Sequence, residues 1–352
     1  GFLALCTSNL PSVDVIPSEH FNTVIYSGNS STQSIAVGFQ PDFTWIKSRS
    51  AAENNSLFDS VRGISEYLFS NSTSEELLFN GNGLTSFDSD GFEVTGGSGY
   101  AVNTSSATYA AWNWKAGGTA VSNTNGTITS QVSANPSAGF SIVSYAGSGS
   151  AGTVGHGLSQ IPDMIITKDR DGAFQWITWH KDLTSAFASD GAYVYLNTTN
   201  AQGTVSVWYD GTGISSSVYA WRSGNENVNQ SGDNYISYCF HSVESYSKVG
   251  SYVGNGNADG PFVNCGFRPK FVLIKDTTNV NEWRIYDVER ADNTMYKILV
   301  PNSSNAEGVS GHGIDVLSNG FKVRGTAVIN ASSANHIFIA FAENPFKHTN
   351  AR

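Results

Sequence analysis

An all-β chain of three tandem β-sandwich, jelly-roll-like units is the fold class the sequence predicts, and three observations predict it. Nearly the same strand-and-turn text occurs three times, strand-length apolar runs are bounded throughout by Gly, Asn and Asp turns, and helical periodicity is almost absent. The clearest copy is a Pro-led strand, Pro41-Asp42-Phe43-Thr44-Trp45-Ile46-Lys47, which returns without gaps from Pro162 to Lys168 and from Pro269 to Lys275. A second block begins at Asn103, Asn229 and Asn330; it places Tyr109, Tyr235 and His336 in one column and Trp114, Phe240 and Phe341 in another. Repeats spaced by roughly 100 residues are long enough to close cores of their own, so they read as domains and not as solenoid units.

Each repeat opens on a short strand that passes through Tyr26, Tyr145 or Tyr252 into a turn at Gly28, Gly147 or Gly254. In the Pro-led strand, Phe43 and Trp45 share a parity with Met164 and Ile166 and with Phe271 and Leu273, which predicts one buried face. Its proline sits at the strand start, where a missing N–H does least harm. Lys47, Lys168 and Lys275 end the strand and read as rim residues that snorkel and keep the edge soluble. A third strand follows around Leu57-Phe58, Trp176 to Trp179 and Trp283 to Tyr286, then a polar turn at Asn71, Asn197 or Asn302. Asp90-Gly91 and Asn319-Gly320 carry the dipeptides of type I′ hairpin turns. The last strand is predicted to bury Ala110, Trp112 and Trp114 on one face, as it does Ile236, Tyr238 and Phe240, and Ile337, Ile339 and Phe341. Val61 to Phe69 and Lys181 to Ser189 are the two stretches that suit a helical turn.

These elements divide the chain into a leader at 1–20, units at 21–118, 138–246 and 247–352, and a Gly/Ser/Thr/Asn-rich stretch at 119–137 that reads as a linker or a stray strand pair. The short join from Val243 to Lys248 predicts that the second and third units pack as a rigid pair, with any flexibility after the first.

Composition narrows the function classes. Charged residues are 14% of the chain against roughly 25% in ordinary globular proteins, which gives an extracellular or virion-surface character. The formal charge of -10 is spread thinly and the 19 Lys and Arg form no cluster, so nucleic acid is not an expected partner. Apolar runs fall far short of the roughly 20 residues that cross a bilayer, and no membrane insertion is expected. Cys6, Cys239 and Cys265 form no CxxC pair and leave their disulfide state open. The chain begins at Gly1 without the basic and apolar regions of a signal peptide, which points to a processed or truncated longer polypeptide. Sequons at Asn71, Asn103, Asn197 and Asn302 are what a chain so rich in Asn, Ser and Thr makes by chance.

The candidate chemical motifs reduce to turns. Gly147 to Gly152 matches GxGxxG, yet Thr153 to Pro162 cannot open the helix a pyrophosphate needs, so a flexible turn is predicted. Asp88-Ser89-Asp90-Gly91 and Asp169-Arg170-Asp171-Gly172 resemble pieces of calcium loops but supply neither a third carboxylate nor a distal Glu. Asp59, Asp182 and Asp287 are available acids without a recognisable glycosidase pairing, and the seven histidines never approach metal-ligand spacing. No catalytic residue, metal or cofactor is assigned. One site candidate remains. Aligning Val218 and Ala220 with the buried Phe92 and Val94, and with Phe321 and Val323, puts Tyr219 and Trp221 on the outer face. There they would stack on sugar rings or bury in a neighbouring subunit; a register shifted by one returns both to the core.

Three stretches carry a resemblance. Gly1 to Pro11 resembles the segment that ends a SPRY-like domain in virion proteins of marine bacteriophages, including those of cyanobacteria. The blocks Gly38 to Lys47 and Gly266 to Lys275 are similar to the repeated unit of those proteins, and Ile337 to Arg352 is similar to their C-terminus. The SPRY-like domain itself is missing from this chain. The resemblance implies a tail-fibre-like structural protein with no catalytic residues to carry over. The expectation is therefore a non-enzymatic virion surface protein, extracellular, a fibre, appendage or capsid-exterior element. It would assemble with copies of itself and other virion proteins, with host surface glycans as a further contact, and multivalency would supply the avidity. The alternatives are a glycan-degrading tail depolymerase and a secreted cellular adhesin or filament subunit.

Overall fold

The structure, a computed structural model, describes residues 15–79, 81–96, 102–183, 191–204, 213–221, 225–291 and 294–343. It is all-β, and the named strands pair antiparallel. The first repeat contributes β1 (Phe21–Ser27), β2 (Gln33–Ala36), β3 (Phe43–Ser48), β4 (Asn55–Asp59), β5 (Gly63–Phe69), β6 (Leu77–Leu78), β7 (Gly83–Asp88), β8 (Gly91–Thr95) and β9 (Thr108–Trp114). They form a sheet of order β1-β9-β3-β4-β5-β6 and a smaller one, β2-β8-β7. Next come β10 (Val121–Asn123), β11 (Ser130–Asn135), β12 (Phe140–Ala146), β13 (Gly152–Gly155), β14 (Met164–Asp169), β15 (Ile177–His180), β16 (Ala192–Tyr195), β17 (Gly203–Thr204), β18 (Val218–Trp221) and β19 (Asn234–Phe240). Their sheets run β10-β11-β12-β19-β14-β15-β16-β17 and β13-β18. The third repeat has β20 (Ser247–Val253), β21 (Asp259–Asn264), β22 (Pro269–Asp276), β23 (Arg284–Asp287), β24 (Thr294–Ile298), β25 (Gly308–Leu317), β26 (Gly320–Arg324) and β27 (Asn335–Ala342), in sheets β20-β27-β22-β23 and β21-β26-β25-β24.

Within each repeat a core lies between the larger and the smaller sheet. In the first, Ile46, Phe58 and Ala111 of the larger sheet meet Ile35, Phe92 and Val94 of the smaller. The second and third repeats have their own equivalents around Tyr145 and Tyr219, and around Ile274 and Phe321. A further core belongs to none of them alone. The opposite faces of the larger sheets meet at the centre, where Trp114, Phe240 and Phe341 approach one another pairwise at ring separations of 6.4, 5.6 and 6.2 Å. A cavity of about 20 Å³ there is lined by apolar and aromatic side chains.

This common core corrects three expectations. β3, β9, β14 and β22 bury both faces, not one, because the second face is covered by the neighbouring repeats. Lys47, Lys168 and Lys275 project from that covered face and are fully buried. Their ammonium groups lie against main-chain carbonyls instead of water, Lys47 at 2.9 Å from Ser304 O and Lys275 at 3.0 Å from Thr199 O, in each case across a repeat boundary. Burial lowers all three to about 8. The first repeat also packs directly on the other two through Phe21, Phe43 and Trp114, where a loosely tied first unit was the expectation. Of the two readings of the stretch at 119–137, the strand pair is the one present: β10 and β11 pair with each other and extend the sheet of the second repeat.

Two local expectations also change. Residues 63–69 form β5 and not a helical turn, because Tyr67 and Leu68 are needed by the cores on either side of the sheet. Lys181 and Asp182 form a turn, and 184–190 lie outside the described residues. The hairpins at Asp90 and Asn319 are present one residue earlier than expected: Asp88 pairs with Gly91 and Leu317 with Gly320, leaving Ser89-Asp90 and Ser318-Asn319 as the loops. The glycines are required for close approach, since a Cβ would stand 1.9 Å from Ile35 O at Gly91 and 2.0 Å from Val263 O at Gly320.

The repeated Asn and Tyr columns are one polar clasp used three times. Asn103, Asn229 and Asn330 accept the backbone N–H of Asn29, Ser148 and Asn255 and donate to Ser31 O, Ser150 O and Asn257 O. Tyr26, Tyr145 and Tyr252 donate to Val102 O, Val228 O and Ile329 O, each at 2.7 Å, while stacking on Tyr109, Tyr235 and His336. Asn71, Asn197 and Asn302 accept the main-chain N–H of Asn55, Trp176 and Trp283. These sequon asparagines hold backbone through Oδ1.

Candidate functional site

The site candidates from the sequence, Tyr219 and Trp221, lie inside the second repeat. Both are fully buried, and β13 pairs with β18 so that Val154 faces Tyr219 and Gly152 faces Trp221. In the first repeat the residue equivalent to Val154 is Ile35, which faces Phe92. Tyr219 therefore occupies the column of Phe92 and Phe321, and Trp221 that of Val94 and Val323. The register is one residue off the one assumed, and the two rings fill core space beside Tyr145. They are not a glycan or subunit contact surface.

The unusual chemistry lies in the seams between repeats, which close cyclically. Trp176 Nε1 donates to Phe69 O at 3.0 Å and Trp283 Nε1 to Tyr195 O at 2.8 Å. The first repeat has Asn55 at this position, and its amide reaches the equivalent carbonyl, Val300 O, at 3.3 Å. Main-chain bonds mark the same relation: Glu76 N to Arg170 O, Gln202 N to Thr277 O and Glu307 N to Arg49 O, at 2.8, 2.9 and 2.8 Å. Second contacts first, third contacts second, and first contacts third.

Two seams hold buried acid–arginine pairs, and the third holds none among the described residues. At the first, Asp59 pairs with Arg62 at 2.5 Å and accepts Tyr238 OH at 2.8 Å, while Glu76 bridges Arg62 and Arg170. At the seam between third and first repeats, Asp287 pairs with Arg290 at 2.7 Å and accepts Trp112 Nε1 at 3.0 Å, while Glu307 bridges Arg290 and Arg49. Asp59, Arg62, Asp287 and Arg290 are all buried, and these pairings satisfy both carboxylates. The arginines beside it hold Glu307 below the usual carboxylate range against the opposing effect of burial. At the seam between second and third repeats the corresponding residues are His180, Leu183, Gln202 and Thr277, and the donor column holds Ile339. An apolar side chain cannot satisfy a buried acid. His180 donates instead to the main chain, Nε2 lying 3.4 Å from Phe338 O, with Nδ1 accepting Asp182 N at 3.1 Å.

Burial pushes His180 down to about 4, and His156, which bonds Ser215 O and Leu158 N in the second repeat, also to about 4. The unfolded chain binds these protons near pH 6.5 and the folded chain only near pH 4, so the two groups reduce stability as pH falls through that window. Urea unfolding midpoints should be flat from these groups above pH 7. At pH 5 the loss is expected to be about 2 kcal/mol per histidine, and His180→Gln with His156→Gln should remove much of the slope.

The remaining reactive groups are structural. Asp169 accepts the N–H groups of Asp171 and Gly172 in a turn, and Gly147 to Gly152 runs into β13 and not a helix. Cys239 and Cys265 are free and buried; burial raises both thiols, Cys265 to about 12, which leaves them unreactive. Cys6 lies outside the described residues. Among the described residues no group of three His, Cys, Asp or Glu is placed to hold a metal ion, and no helix is long and apolar enough to cross a membrane. The sequence analysis missed the seam networks, although a signal was present: Asp59-x-x-Arg62 recurs as Asp287-x-x-Arg290, and the second repeat replaces both members together.

An open groove of about 480 Å³ lies along the exposed side of the first repeat, where the edges of β1 and β2 run beside Lys270 and Glu289 of the third. Lys270 is engaged there by Glu289 at 2.9 Å and by Asn22 at 2.6 Å.

Fold and seams together define an all-β protein whose internal repeats are locked around a shared core by mutually satisfied polar groups. The chain belongs to the DUF7483 family, a domain of unknown function, whose family model matches residues 16–345 and so takes in all three repeats. No curated protein matches it.

Proposed function

We propose that this chain is a non-enzymatic structural protein of a bacteriophage virion surface, a fibre, appendage or capsid-exterior element that assembles with copies of itself and with other virion proteins. The observation that carries the reading is the cyclic closure of the repeats. Side chains repeated across the chain, the Asn and Tyr clasps, the Trp donors and the buried lysines, all serve main-chain or seam contacts. A frame of that kind keeps its shape without a partner and presents a polar, sparsely charged exterior. The likeness of the chain ends and of the Pro-led block to marine phage virion proteins supports the virion setting. Host surface glycans remain a proposed contact of the exterior, no longer through Tyr219 and Trp221.

A depolymerase would need two carboxylates facing each other across an accessible cleft. Asp59 and Asp287 are instead buried in ion pairs, and the cavity at the centre is apolar. The test is immunogold labelling with mass spectrometry of purified particles from the source culture. Label on virions in stoichiometric amount is expected; recovery solely in the cellular or secreted fraction would sink the proposal.

A further inference from the structure

We propose that the groove between β1 and β2 of the first repeat receives an extended, uncharged polypeptide strand from a partner chain. The molecule shows this arrangement once already, on its second repeat. There Thr127 to Asn135 runs between the edges of β12 and β13. β11 forms an antiparallel ladder with β12, Ile128 N donates to Thr153 O at 2.9 Å, and Ser130 Oγ donates to Gly155 O at 2.8 Å. Ile128, Ser130 and Val132 turn inward and are buried, alternating with exposed Thr129 and Gln131. One strand thereby satisfies two sheet edges and closes the side of the core.

The first repeat offers the same two edges with no strand between them among the described residues. Gly28 N donates to Ala107 O and Lys115 N to His20 O, so even-numbered residues of β1 face β9 and the N–H and C=O groups of Thr23 and Ile25 turn outward. On β2, Val37 N donates to Asp90 O, which turns Ser34 and Ala36 outward. Thr23 and Ile25 are the counterparts of Ile142 and Ser144 on β12, and Ser34 and Ala36 of Thr153 and Gly155 on β13, the groups the internal strand engages. Thr23 Oγ1 is buried in the groove wall without a hydrogen-bond partner, and Ile25 is 46% exposed. On the third repeat this edge is partly covered by the chain itself, Val249 N donating to Ser242 Oγ and Ser247 N to Val243 O.

The occupant is specified by what lines the space. The only charges named at the groove, Lys270 and Glu289, neutralise each other, so it favours an uncharged segment, as Thr127 to Asn135 is. Main-chain pairing supplies affinity and the alternation of small or β-branched inward residues supplies register. Such a strand, donated by a neighbouring subunit, would join chains without a large interface. The inference concerns the protein's docking chemistry and stands whether or not the virion setting is correct.

The experiment is an anisotropy titration of the intact chain with a fluorescent peptide carrying the sequence of residues 127–135. Saturable binding is expected, and the same peptide with proline in place of its Gln131, whose N–H points to Ser144 of β12 in the parent arrangement, should not bind. Ile25→Pro removes an N–H that points away from β9, a position where an edge strand tolerates proline, and should weaken binding by about tenfold or more. Ala36→Pro tests the facing edge independently, with unchanged circular dichroism required of each variant. Absence of binding to the parent chain overturns the proposal. So does binding that survives both substitutions, because the peptide would then be exchanging with its own copy on the second repeat.

Discussion

Trp114→Ala is expected to lower stability by about 3–5 kcal/mol and to do so for all three repeats at once. The indole packs on Phe21 and Phe43 of its own repeat, Phe240 of the second, and Phe271 and Phe341 of the third. Its removal leaves a void that no single repeat can collapse to fill, since the surrounding rings are anchored in three different sheets. Scanning calorimetry should therefore record one transition moved to lower temperature, with calorimetric and van't Hoff enthalpies in agreement. Three resolved transitions, with only the first displaced, would mean that the common core does not couple the repeats.

Arg62→Leu is expected to cost about 3–5 kcal/mol, because it leaves Asp59 and Glu76 short of a cation in a buried seam. The size of the effect alone would not establish that the network is a matched set. A second variant does: Asp59→His, Arg62→Leu, Glu76→Gln, Arg170→Thr and Tyr238→Ile together convert this seam to the residues found between the second and third repeats. If the members act as one unit, the five changes are less damaging in urea denaturation than the single one, contrary to any additive sum. Losses that simply accumulate would refute the idea that the seam without acid–arginine pairs is an alternative solution to the same packing problem.

Much of this architecture was legible without coordinates. Most of the strands and the Pro-led and Asn-led columns follow from local signals: a period of two, turn residues at strand ends, and a text repeated three times; β5 does not, since its sequence also suits a helical turn. The candidate site was not. Sequence alone turns Tyr219 and Trp221 outward because β18 has no neighbouring landmark, and a shift of one residue exchanges the two faces of any strand. It puts Lys47, Lys168 and Lys275 at the rim because a lysine ending an amphipathic strand ordinarily meets water. Here the water is replaced by the turn of the adjacent repeat.

What the residues determined by themselves was the repeated β-fold, since hydrogen-bond pairing, alternation and tight turns depend on neighbours a few positions away. What only the assembled structure decided was which surfaces are hidden. The faces carrying Trp114, Phe240 and Phe341, and the acids at Asp59 and Asp287, become interior when three sheets meet, and burial is a property of that meeting and not of any one strand.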